Sequence, residues 1–223
     1  MSAVSGGIEA AEWLAEAPSS SGGLPVRAGL ADLARYAHAL WSALPPPNAT
    51  PRCTKGCSGC CHQRTCVTPA EAMVLAPLMR TAAIRRRLRL LRRGRASEVD
   101  PWRGWLQAGI ACPLLDETHA CSVHPARALV CREHLVTSDP ELCRDPFGTG
   151  VELLPLPIRL GEALALACAR LRRQAVERIP IDVVPSWVRL HRGLQARRWP
   201  RDMVRSVFTG ALSEVGRNDT SPG

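Results

Sequence analysis

Lysine is nearly missing from this chain: Lys55 stands alone, and arginine supplies almost all of the positive charge behind a formal net charge of +9. Aromatic residues are scarce too, at 4% of the sequence with one tyrosine and two phenylalanines, so no platform of rings is available for stacking nucleic-acid bases. No apolar run approaches a membrane span. The longest, around Leu164–Ala169, is far shorter than the roughly 20 residues a spanning helix needs. The N-terminus carries Glu9 and Glu12 and lacks the basic head and apolar stretch of a secretory leader. These absences predict a cytoplasmic protein with no membrane contact. The arginine bias fits a GC-rich bacterial genome as well as an acidic partner.

What remains is enough for one core: 223 residues, 46% hydrophobic, within the size range of a single domain. Residues 1–24, rich in Ser, Gly, Ala and Glu, are expected to form a disordered tail, residues 25–215 one domain, and residues 216–223 a second tail. The periodicity of Leu30, Leu33, Ala34, Ala37, Leu40 and Trp41 predicts a helix within Pro25–Leu44, stopped by Pro45–Pro46–Pro47. Thr68–Pro69–Ala70–Glu71 is a helix start: a cap, a first-turn proline and a capping-box glutamate. An arginine-rich helix is expected over Ala82–Arg95, with Leu88, Leu90 and Leu91 on the core. Asp116–His119 should turn a short hairpin within residues 112–123, and Pro125 and Pro140 should each open a short helix. Leu160, Leu164, Cys168, Leu171 and Ala175 line one face of a helix to about Arg178, and further helical pieces begin near Ser186 and Pro200. The fold class predicted is mainly α, a small helical domain around a cysteine-rich site with a short β-hairpin.

The chain holds ten cysteines. In a reducing compartment clustered thiols bind metal or do redox chemistry more often than they pair. Cys53, Cys57, Cys60 and Cys61 crowd one short segment in which Gly56 and Gly59 allow tight turning. Cys112, Cys121, Cys131 and Cys143 form a second group, with the hairpin drawing Cys112 towards Cys121 and the helix from Pro125 carrying Cys131. Thiolates are soft ligands that suit zinc or iron–sulfur clusters, and Lys55 and Arg64 are placed to offset their charge. Consecutive residues in an extended segment point to opposite sides, so Cys60 and Cys61 would seldom both serve one small ion. Two centres, one polynuclear centre, or one cysteine outside the ligand set are the arrangements left open. Iron or an iron–sulfur cluster is favoured, with zinc as the alternative.

The ordered elements Cys53-x3-Cys57-x2-Cys60–Cys61, Thr68–Pro69–Ala70–Glu71, Cys112–Pro113–Leu114–Leu115 and Cys121 through Arg127 to Cys131–Arg132 resemble the YkgJ-type cysteine-cluster family over about residues 50–145. His124 and Ala128 depart from its usual aromatic and proline, and Cys66 is an addition. The resemblance implies a zinc- or iron-chelating domain, and a flagellin lysine methylase with a related pattern implies iron–sulfur chemistry in protein modification as one role. Cys53-x3-Cys57-x2-Cys60 is also the radical-SAM spacing, but strands are too few here for the barrel that normally carries it.

Other polar residues have simpler explanations. Cys168 lies on an apolar stripe and is expected to be core. Cys66 is either a ninth ligand or an incidental thiol. His62 and His124 fit surface or hydrogen-bonding roles better than ligation. Arg127 and Arg132, flanking Cys131, either offset thiolate charge and bond nearby carbonyls or form surface pairs. The arginine run reads as a solvated helix face rather than a nucleic-acid site. No substrate is legible: a modification or redox reaction at iron is the first reading, a non-catalytic zinc-stabilised binding module or a metal carrier the alternatives, and the expected partner is a protein or a small molecule, with nucleic acid less favoured.

Overall fold

A computed structural model describes residues 23–44, 49–54, 56–94, 104–105, 108–145, 149–156 and 158–218. Most of the predicted N-terminal tail, the Pro45–Pro47 stop and Lys55 lie outside these residues. The helices are α1 (Leu30–Ala43), α2 (Pro69–Leu78), α3 (Ala82–Gly94), α4 (Leu129–Glu133), α5 (Leu160–Arg172), α6 (Val184–Leu190), α7 (Arg192–Ala196) and α8 (Arg201–Asn218). Two small antiparallel sheets accompany them. β1 (Arg27–Ala28) pairs with β4 (Trp199–Pro200), and β2 (Cys66–Val67) with β3 (Ile179–Pro180). The mainly helical class is as the sequence predicts. The paired strands are a finding, because two-residue strands leave no alternation to read.

The core is a helical stack in which α2 lies against α1, α5 and α6, and α8 runs along α5. α2 is central because little of it is polar: Ala70, Ala72, Met73, Leu75 and Ala76 are all buried. α5 buries Leu160, Leu164, Cys168 and Leu171 as its spacing predicts, but it ends at Arg172. There Arg173 turns into the left-handed region at φ 55°, and the Gln174 N–H closes on the Ala169 carbonyl at 3.0 Å, a helix-ending geometry. Leu24, assigned to the tail on composition, is buried at 4%. In α3, Ile84 and Leu88 reach the core, whereas Leu90 is 57% exposed, so the apolar stripe is narrower than the leucine count predicts. Among the described residues no helix is long and apolar enough to cross a membrane.

The short hairpin over 112–123 forms as expected: Leu115 and Cys121 are bridged, the Asp116 N–H reaches the Ala120 carbonyl and the Ser122 N–H the Leu114 carbonyl, both at 2.8 Å, and Asp116 Oδ1 accepts the N–H groups of Thr118 and Ala120. One expectation beside it needs correction. The helix expected from Pro125 is two pieces. A 3-10 turn, His124–Ala126, is followed by α4, with Arg127 and Ala128 extended between them.

Candidate metal centre

The first cysteine group hangs on a loop fixed at both ends. The Arg52 N–H reaches the Val136 carbonyl at 2.8 Å, and the Cys112 N–H reaches the Cys61 carbonyl at 2.7 Å. Gly56, at φ 93°, makes the left-handed turn that folds Cys57 back on Thr54. Gly59 serves differently from the tight turn expected of it. A Cβ there would lie 2.8 Å from the Pro140 carbonyl oxygen and 3.2 Å from Cys143 Cβ, so glycine permits the close approach of the Pro140–Arg144 3-10 turn. That approach delivers Cys143, whose carbonyl accepts from Gln63 Nε2 at 3.2 Å.

Cys60 and Cys61 lie in a 3-10 turn, Gly59–His62, not in an extended segment. The neighbouring Cys61 thiol, then burial, raise the Cys60 pKa well above that of a free thiol. Cys112, Cys121 and Cys131 pack against the hydrophobic core. Burial pushes Cys112 up to about 12, with Cys131, Cys121 and Cys60 adding to it against a Leu114 backbone bond. Burial, then Cys60 and Cys121, push Cys131 up to about 12 as well. Cys121 is raised chiefly by burial. Burial, then Cys60, Cys53 and Cys57, push Cys143 up to about 11.

By mutual influence the cysteines fall into two sets: Cys131 and Cys121 act on Cys112, Cys53 and Cys57 act on Cys143, and Cys60 acts on members of both. Among the described residues no three His, Cys, Asp or Glu side chains already stand close enough to enclose an ion. Buried thiols held protonated lack the charge that draws ligands together; a cation displaces those protons and supplies it.

Three features fit such a cation. The donor set is sulfur-rich, as soft metals require. Burial disfavours thiolates unless a cation compensates. The buried Nε of Arg127 has no hydrogen-bond partner among the described residues, and Arg127 acts on Cys60, Cys121 and Cys131.

Other candidates stand apart. Cys66 pairs with Pro180 in β2–β3, and its charged neighbours are Arg64, Asp182 and Arg178. Arg64 bonds Asp182 at 3.4 Å, and the thiol it acts on is that of Cys66. Cys168 is 1% exposed in the core. His62 Nδ1 bonds the Ser58 carbonyl at 3.1 Å, and His124 Nε2 lies 3.1 Å from Arg127 Nη1, so both hold hydrogen-bonding roles.

Two carboxylates, one buried and one half-buried, place α4 and hence Cys131. Glu71 closes the expected capping box with Thr68 and also accepts the Leu129 N–H at 2.6 Å. Glu133, at the other end of α4, accepts the Gly161 N–H at 2.8 Å. Neither long-range bond leaves a mark in local sequence pattern.

Residues 52–146, less than half of the chain, match the family model CxxCxxCC, described as "Putative zinc- or iron-chelating domain". Here three residues, Thr54–Gly56, separate the first two cysteines rather than the two of the family's name. No curated protein and no solved structure matches the chain. The cysteine-bearing segment, residues 52–146, is thus similar to this cysteine-cluster family.

Proposed function

We propose that the domain holds iron, as a polynuclear or paired thiolate centre, through Cys53, Cys57, Cys60, Cys61, Cys112, Cys121, Cys131 and Cys143. What supports this reading is the crowding around Cys60, whose thiol acts on those of Cys112, Cys121, Cys131 and Cys143. A centre spread over several metal atoms uses neighbouring sulfurs without drawing all of them to one point. When bound, such a centre supplies one-electron chemistry; the chain's own thiols hold it and the core excludes water from its inner side. A modification or redox step on a protein or small molecule is the use this suits.

Zinc is the second reading. The two sets, each completed by one member of the Cys60–Cys61 pair, make two closed four-sulfur sites of the structural kind. Metal and acid-labile sulfide analysis of protein purified without oxygen separates the two. Iron with sulfide and a broad visible absorption supports the first, and colourless protein with stoichiometric zinc supports the second.

A further inference from the structure

We propose that Arg127 is a charge-compensating donor of the thiol cluster: its Nε–H bonds a thiolate among Cys60, Cys121 and Cys131 once a metal has displaced the thiol protons. This rests on the metal-binding reading above. Arg127 Nε is buried without a partner among the described residues, and a buried donor without an acceptor is costly to keep. The residue sits in the extended link between the turn that carries Cys121 and the helix that carries Cys131. It is held in place from two sides. Nη1 lies 3.1 Å from His124 Nε2, and the Arg127 carbonyl accepts Arg132 Nε at 3.3 Å.

Arg132 is committed elsewhere. Its Nη2 bonds the Pro125 carbonyl at 2.5 Å and its Nε the Arg127 carbonyl, so these two donors strap the turn, while the Cys131 thiol also acts on Arg132. Arg127 is the cation that acts on Cys60, Cys121 and Cys131 alike. Thiolates around a divalent ion leave a net negative charge, and in a water-poor site a neighbouring guanidinium both offsets that charge and draws electron density from the sulfur it bonds. Arg127 is thus a positioning and tuning residue, not a ligand.

The test uses cobalt(II) added to metal-free, full-length protein, because thiolate-to-cobalt charge transfer reports on the sulfurs whatever the native metal. Arg127→Gln should move that band to lower energy and speed cobalt loss to EDTA by about tenfold, the scale of lost outer-shell bonds. Arg127→Lys keeps a charge but not the planar Nε–H, so its band should move as in Arg127→Gln while its release rate lies between. Arg132→Gln should leave the band in place. Wild-type band and release rate in Arg127→Gln would overturn the proposal. Should that variant fail to fold by circular dichroism, Arg127→Lys decides alone, an unmoved band refuting it. Absence of any thiolate–cobalt band in the wild-type protein would instead sink the metal-binding reading, and this inference with it.

Discussion

Glu71 Oε1 accepts the Leu129 backbone N–H at 2.6 Å while Oε2 accepts the Thr68 N–H and hydroxyl, both at 2.9 Å. One carboxylate, 2% exposed, therefore serves the first turns of both α2 and α4 and fixes the helix bearing Cys131 to the centre of the core. Glu71→Gln retains the shape but turns an amide NH2 towards backbone donors. It should destabilise the fold by about 1–3 kcal/mol, the cost of buried groups left unsatisfied. It should also weaken metal retention, because α4 loses its anchor. Urea unfolding of metal-free and metal-loaded protein measures both, and unchanged midpoints would show that Glu71 is dispensable.

The two-set arrangement predicts unequal losses. Cys57→Ser should lower metal content while sparing Cys112, Cys121 and Cys131, Cys121→Ser should lower it while sparing Cys53, Cys57 and Cys143, and Cys60→Ser should disturb both sets. Metal per chain, measured for the three variants side by side, checks this. Equal loss in all three would favour a single indivisible centre.

Cys168 lies in the core, where burial pushes its thiol up to about 12. Cys168→Ala should keep full metal content and cost about 1–2 kcal/mol for the lost packing. Loss of stoichiometric metal in this variant would contradict the core assignment.

His38 supplies a pH signature away from the cysteines. Burial, then the nearby Arg132 charge, lower it to about 4 from 6.5, and its Nε2 lies 3.7 Å from Glu71 Oε1, too far for a hydrogen bond. The unfolded chain then binds a proton that the native state refuses. Stability from this group is present above pH 6.5 and is lost as pH falls towards 4. The difference in unfolding free energy between wild type and His38→Gln should change across that window and be flat above it. A flat difference throughout would mean His38 ionises normally.

Legibility followed the range of each interaction. α1 and α5 were readable because their apolar faces repeat locally, and the start of α2 because the Thr68–Glu71 capping box is a three-residue relation. The cysteine family resemblance was readable because the motif lies in sequence order, and the family match over residues 52–146 bears it out. Three things were not. The β2–β3 pairing joins Cys66 to Pro180 with no local signal. The 3-10 turn at Cys60–Cys61 puts neighbouring thiols together, where an extended chain would part them. Arg127 and Arg132 look equivalent beside Cys131, yet one bonds carbonyls and the other keeps a buried donor unpaired, a division set by tertiary packing.

The central claim, that the thiols meeting at Cys60 hold a polynuclear or paired iron centre, is tested most directly by the metal, sulfide and visible spectrum of protein purified without oxygen, alongside Cys60→Ser. The account predicts brown protein containing iron and labile sulfide, absorbing broadly near about 400 nm as thiolate-bound clusters do, bleached by dithionite, and depleted of iron in Cys60→Ser. Colourless protein holding only zinc, which takes up no iron on reconstitution with iron and sulfide, would contradict it.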